Sequence, residues 1–175
     1  EEFKKSSAVQ IKVLINDVIY RLIDDVLAFR IQKNREIEKK RMMGLSPVCK
    51  LRILHQYVFR NTSPAIFGVK IEGGKLVSNL SMISVSGEKI GKIKNIQADK
   101  NSVKEANEGM EVAISISGVN FERQLAKENF LYTDLGESQF RNFKKNKDLL
   151  TASEMKILQE IAEIKRKVDK EDWGM

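Results

Sequence analysis

Between residues 48 and 133 the chain never sustains helical periodicity. Short runs rich in β-branched and aromatic residues follow one another, at 51–59, 66–71, 76–85, 89–97, 111–117 and 129–133. Between them stand Asn61-Thr62-Ser63-Pro64, Glu72-Gly73-Gly74, Ser86-Gly87-Glu88, Asn107-Glu108-Gly109 and Ser117-Gly118, all turn-forming combinations. Runs this close together leave no room for the crossover helices that a parallel sheet needs. A closed, antiparallel β-barrel is therefore the expected architecture.

Helical segments flank the barrel. Ile11-Lys12-Val13-Leu14-Ile15 reads as a short buried strand, after which Asn16 or Asp17 supplies a helix N-cap. Val18, Leu22, Val26 and Phe29, with Ile19, Ile23 and Leu27 beside them, form one broad apolar helix face. From 32 to 41 the chain is helix-forming but nearly all polar, a pattern of solvent-bridging helices between domains, with Glu36 and Lys40 as an i,i+4 pair. Gly44 is expected to close the helix in a left-handed turn before Pro47, leaving a rod of roughly 40 Å at ~1.5 Å per residue. After residue 133, Phe140 and Phe143 mark the apolar side of a helix from about 137 to 150. Thr151-Ala152-Ser153-Glu154 is a capping box for a second helix, whose Ile157, Ile161, Ile164 and Val168 make a single stripe.

Charge is spread unevenly over these parts. The 175 residues carry a net +7, of which 45–133 hold +4, 17–44 hold +2, 1–16 hold +1 and 134–175 hold none. That is a mild field, compatible with contact to RNA phosphates. No apolar run approaches the ~18 residues of a membrane helix, and no signal peptide opens the chain. Cys49 has no second cysteine to pair with, and with His55 as the sole histidine no zinc set exists. Cys49 reads as inert and His55 as packed or partly exposed, and Asp24 and Asp25, adjacent on a helix, point apart. Catalytic residues and metal ligands are accordingly expected to be absent, and the chain to be cytoplasmic and monomeric. Because it begins at Glu1 without an initiator Met, we expect a piece of something longer.

Several stretches carry a resemblance. Ser63-Pro64-Ala65-Ile66-Phe67-Gly68-Val69-Lys70-Ile71 with Gly74 and Leu76, Gly91-Lys92-Ile93-Lys94-Asn95-Ile96-Gln97, Ser102-Val103-Lys104-Glu105-Ala106 and Gly109-Met110-Glu111-Val112-Ala113-Ile114-Ser115-Ile116 resemble the translational barrel of ribosomal GTPases. Val18-Ile19-Tyr20-Arg21-Leu22-Ile23-Asp24-Asp25 before it, Arg123-Gln124 within it, and Glu163-Ile164-Lys165-Arg166-Lys167 and Trp173-Gly174-Met175 after it narrow the likeness. Together they resemble the archaeal member of the subunit-joining initiation factor family, which comprises bacterial initiation factor two and eukaryotic and archaeal initiation factor five-B. The resemblance covers about residues 11 to 175 and rests on the order of the motifs.

It implies that 1–16 end an αβα domain, 17–44 form a long connecting helix, 45–133 a fourth-domain β-barrel and 134–175 a helical subdomain. It further implies a role in ribosomal subunit joining, with initiator methionyl-tRNA, initiation factor one-A and the ribosome as partners. GTP and magnesium are expected in the full-length factor. This stretch has no Gly-x-x-x-x-Gly-Lys-Ser/Thr loop, and Asn146-Lys147-Asp148 lacks the spacer of the guanine-reading motif, so no cofactor and no enzymatic activity are expected here.

Candidate tRNA contacts are Lys92, Lys94, Gln97, Glu111, Val112, Ala113, Arg123 and Gln124. Each has a structural alternative: Lys92 and Lys94, with Lys89, as guards of an edge strand, Val112 as barrel filling, Arg123 and Gln124 as loop braces. Candidate partner contacts are Phe140, Phe143, Ile157, Ile161, Ile164, Val168 and Trp173, with packing onto the barrel as the alternative. Should the lysines only guard an edge, the chain would be purely a protein-interaction module for initiation factor one-A. Two departures from the family stand out. Asn replaces the usual glycine near position 79, which a left-handed Asn can support. Glu111-Val112-Ala113 replaces the bacterial Glu-Cys-Gly, so the small, open setting is expected to be lost and unformylated methionine to be the ligand.

Overall fold

In the computed structural model, which describes residues 13–62, 64–99, 101–168 and 173, the chain divides into two compact units at Met43/Gly44. The first is dominated by α1, Ile19–Met43, 25 residues and roughly 37 Å long at ~1.5 Å per residue. Asn16 begins it, its Oδ1 accepting from the Val18 N–H at 3.2 Å. No side chain of α1 is buried among the described residues, so the apolar residues Ile19, Tyr20, Ile23, Leu27 and Ile31 all face solvent. Three expectations need correction here. Residues 11 and 12 of the predicted strand lie outside the described residues, and Val13–Ile15 form none, since no described strand lies beside them to pair with. Glu36 takes Lys33 as its partner, at 2.7 Å, rather than Lys40, and that hydrogen bond holds its carboxyl below the usual range. Gly44 does not adopt a positive φ.

The second unit is a barrel closed by hydrogen bonds. Its strands are β1 Cys49–Arg60, β2 Ala65–Val77, β3 Ser81–Ser84, β4 Lys89–Ala98, β5 Asn101–Val103, β6 Glu105–Asn107, β7 Glu111–Ile116 and β8 Phe130–Thr133. The antiparallel order β1-β8-β3-β4-β7-β2 returns to β1 through the β1–β2 ladder, so the sheet has no free edge around that circuit. β5 and β6 are short additions to the ends of β4 and β2. Alternation explains the filling: Phe67, Val69 and Ile71 from β2, Ile93 and Ile96 from β4, and Ile114 and Ile116 from β7 meet inside with Leu51 and Leu131.

One turn and one strand assignment move. Glu72-Gly73-Gly74 is not a turn but the middle of β2, where register slips between Lys50↔Gly73 and Leu51↔Ile71 as a bulge. Gly74 takes φ +77, and a Cβ there would lie 1.9 Å from the Val48 carbonyl oxygen, so glycine is required. Consequently Leu76 belongs to the end of β2 rather than to β3, and the chain turns at Asn79, which holds the left-handed φ of +66 expected for it.

Two helices, α2 Glu137–Lys145 and α3 Ala152–Val168, with a 3₁₀ turn Lys147–Leu149 between them, cover the outer face of β3 and β8. The capping box forms as predicted: the Thr151 hydroxyl accepts from the Glu154 N–H at 3.2 Å, and Glu154 Oε2 accepts from the Thr151 N–H at 2.9 Å. Ile157, Ile161 and Ile164 pack against Val48, Ile83 and Tyr132. Gly73 allows this approach, because a Cβ there would stand 2.9 Å from Ile157 Cδ1. Two ion pairs fasten α3: Lys50 to Glu160 at 2.7 Å and Lys165 to Asp134 at 2.6 Å. At Lys50, burial pulls the ammonium pKa down, but hydrogen bonds to Glu160 and Tyr132 outweigh it and the net shift is upward. No helix among the described residues is long and apolar enough to cross a membrane.

Candidate nucleic-acid interface and helical groove

Strand register builds a surface that none of its strands holds alone. On the outer face of the barrel Leu54 pairs with Gly68, Gly68 with Ala113, and Ala113 with Gln97, a row crossing β1, β2, β7 and β4. Its two central members are the smallest side chains available, so the row sinks into a cleft of about 320 Å³. Leu54, Ile66, Tyr57 and Phe59 wall it, and Gln97, Asp99 and Glu111 stand at its rim. β1 supplies the aromatics by a bulge: register jumps from Leu54↔Gly68 to Val58↔Phe67, which throws out His55, Gln56 and Tyr57. Tyr57 then lies so close over Gly68 that a Cβ on the glycine would come within 2.9 Å of Tyr57 Cβ. Tyr57 and Phe59 are 50% and 67% exposed, unusual for rings on a barrel.

The cleft and the rest of the barrel differ in charge. Among the described residues, Asp99 and Glu111 are the charged residues lining it, and no cation does. Neither carboxylate has a hydrogen bond or ion pair among the described residues, although Lys70 is in register with Glu111. Beside the cleft, β4 turns Lys92 and Lys94 to solvent, and five residues of strand, roughly 16 Å at ~3.3 Å each, lead from Lys92 to Gln97. These lysines make no ion pair among the described residues, whereas Lys50, Lys75 and Lys165 are all paired. Lys89, at the start of the same strand, is likewise exposed and without an ion pair. Cations thus line the approach and carboxylates stand at its end, neither set ion-paired among the described residues.

Four predicted contacts, Gln97, Glu111, Val112 and Ala113, therefore come together, and Lys92 and Lys94 lie on the same strand as Gln97. The side chain of Val112 belongs to the barrel core, at 4% exposure. The expected loss of a small setting does not occur, because Ala113 faces Gly68 across the ladder. Arg123 and Gln124 do not line the cleft. They sit in a π-helical turn, Phe121–Leu125, where Asn120 Oδ1 accepts from the Arg123 N–H and Gln124 Oε1 accepts from the Asn120 N–H. Gln124 is thus a brace, and Arg123 points to solvent. The sequence reading missed Tyr57, Phe59, Gly68 and Asp99. The available signal was Tyr57 and Phe59 two apart on one strand, a spacing that puts both rings on the same face.

Cys49 is buried and His55 is exposed. Burial pushes the Cys49 thiol up to about 12, against the lowering effect of its hydrogen bond to Thr133, and the His55 ring rests edge-on to Phe121 at 5.9 Å. Among the described residues no group of acids, His and Cys could hold a metal.

The helical part offers a second concavity. Between α2 and α3 lies a groove of about 330 Å³ floored by Phe140, Phe143, Leu158 and Ala162 and rimmed by Lys144, Lys147, Arg166 and Glu163. Phe140 and Phe143 of the predicted partner set line it, while Ile157, Ile161 and Ile164 turn the other way, onto the barrel. Val168 is 53% exposed, with its Cγ2 beside Gly87 in the β3–β4 turn. Trp173 packs on Phe140, ring centroids 5.0 Å apart.

Comparison with known proteins agrees with this construction. Residues 47–132 match the family described as elongation factor Tu domain 4. A "probable translation initiation factor IF-2" of Methanoculleus marisnigri is 39% identical over 165 residues, 94% of this chain and 28% of that protein. The corresponding protein of Metallosphaera sedula is 36% identical over 160 residues. The crystal structure of GDP-bound aIF5B from Aeropyrum pernix superposes with a TM-score of 0.71 at 33% identity, covering 87% of this chain and 26% of that one. This chain belongs to the archaeal IF-2/aIF5B family of translation initiation factors. It corresponds to their C-terminal region and spans about a quarter of their length. Within that family, the barrel carrying the cleft is the part matched by the elongation-factor-type description, and α3 with its groove lies beyond it.

Proposed function

We propose that the barrel of this initiation-factor region holds the methionyl-CCA end of initiator tRNA during subunit joining. The observation that carries this is the separation of charge on one continuous surface. Phosphates suit the free lysines of β4, while an uncharged or cationic group suits the cleft, which has apolar walls and two free carboxylates. A methionyl ester offers that combination: a flexible thioether for the floor of Gly68 and Ala113, a terminal base to stack on Tyr57 or Phe59, and an α-ammonium for Asp99 or Glu111. GTP hydrolysis belongs to parts of the relatives outside this match, and α1 serves as a spacer.

Binding of methionyl-tRNA to the chain, measured across a salt series, tests the reading. Lys92→Ala with Lys94→Ala should weaken binding and make the log–log salt slope shallower by about 1.4, two phosphate contacts at ~0.7 each for a single strand. An unchanged affinity and slope would overturn it and leave a purely protein-binding module.

A second surface supports a second contact. The groove between α2 and α3 has an apolar floor, and Lys144, Lys147 and Arg166 outnumber Glu163 on its rim. An acidic, aliphatic segment of initiation factor one-A fits that chemistry. Titration with archaeal factor one-A should shift the resonances of Phe143, Leu158 and Ala162, and silence at all of them would reject the contact.

A further inference from the structure

Two residues that line the groove, Phe140 and Arg166, already have a partner from within the chain. Resting on the reading of the groove as a peptide site, we propose that Trp173 is an intramolecular competitor there. An acidic, aliphatic-rich peptide then fills the groove completely only after Trp173 has been displaced.

Two independent contacts of Trp173 point this way. Its ring lies 5.0 Å from that of Phe140, tilted by 46°, and Phe140 floors the groove at 7% exposure. Its carbonyl oxygen accepts the Nε–H of Arg166 at 3.1 Å, and Arg166 is a rim cation. An acidic, apolar peptide needs an aromatic or aliphatic floor and a guanidinium. Both are taken by the same residue. Leu158 and Ala162 belong to the same floor. Trp173 itself remains partly exposed. The ring pair, which Trp173→Ala removes while leaving the main-chain carbonyl in place, favours the closed state by roughly tenfold at this partly exposed site. Apparent affinity for a peptide that needs the open state falls by about the same factor.

Trp173 is the single tryptophan of the chain, so intrinsic fluorescence reports on it alone. The chain is titrated with a short synthetic peptide of alternating Asp and Ile, following emission and, in parallel, the resonances of Leu158 and Ala162. As the groove fills, emission should move to longer wavelength, because the indole passes from the Phe140 face into water. Trp173→Ala should bind the peptide about tenfold tighter, and Trp173→Phe, which keeps a ring for Phe140, should remain close to the native chain. Equal or weaker binding by Trp173→Ala overturns the proposal, as does saturation of Leu158 and Ala162 with unmoved emission. In both cases the groove survives as a peptide site. If the peptide shifts neither residue in either chain, the groove reading falls, and the competitor with it.

Discussion

Replacing Lys165 with methionine should destabilise the barrel unit by about 3 kcal/mol, the lower end of the range for breaking a buried ion pair. The Lys165 ammonium lies 2.6 Å from Asp134 Oδ1, with the two side chains only 10% and 19% exposed. Methionine retains most of the aliphatic stem, so packing against the outer face of the barrel is largely preserved. What is lost is the counter-charge, and Asp134 is left nearly buried with no other hydrogen-bond partner for its carboxylate among the described residues. Asp134→Leu should cost a similar amount for the mirror-image reason. The double variant should recover most of the loss, since an apolar pair of similar volume replaces a pair whose attraction is largely offset by desolvation. Urea unfolding, followed by circular dichroism with the slope checked for constancy, measures all four corners of the cycle. A loss below ~1 kcal/mol for Lys165→Met would mean that the pair behaves as a surface bridge. Additive losses in the double variant would equally refute the reasoning, because they would trace the cost to packing and not to charge.

Alkaline conditions should destabilise the fold through Cys49, whose thiol is pushed up to about 12 by burial. An unfolded thiol ionises near 8.5, so this contribution is full below that pH and falls by ~1.4 kcal/mol per pH unit as pH rises toward the folded value. Cys49→Ala should flatten that part of a denaturation–pH profile, and an unchanged slope would contradict the assignment. Gly74→Ala should cost more than ~2 kcal/mol, since it combines a positive φ with the Val48 carbonyl 1.9 Å from the new Cβ. Gly109→Ala, at φ +85 with open space around it, should cost only ~1 kcal/mol. Equal melting temperatures for the two would rule out the bulge as the reason for glycine at 74. Thr151→Ala should lower stability by ~1 kcal/mol through the lost cap of α3, with hydrogen exchange at Glu154 rising first.

Wherever backbone preference or short-range periodicity decides, the sequence was enough. The helix over 19–43, the capping box at Thr151 and Glu154 and the barrel itself all follow from residues within a few positions of one another. Glycine is where local reading fails. Gly73-Gly74 signals a turn and a bulge equally, and only the pairing of β2 with β1 chooses the bulge. The stripe of Ile157, Ile161 and Ile164 was legible as a buried face, but what buries it was not. That depended on the bare backbone at Gly73 and on Ile83 and Tyr132, paired in register from distant parts of the chain.

Gln97, Glu111 and Ala113 could be named from their stretches, yet the cleft could not. Its floor exists because Gly68 and Ala113 meet across two strands, and its aromatic wall because a bulge in β1 lifts Tyr57 over that floor. Sequence by itself thus determined which segments extend, coil and turn, because those are contests among neighbouring residues. Tertiary structure alone decided which side chains share a surface. A strand's register is set by long-range pairing, and a one-residue slip would carry each of these side chains to the opposite face.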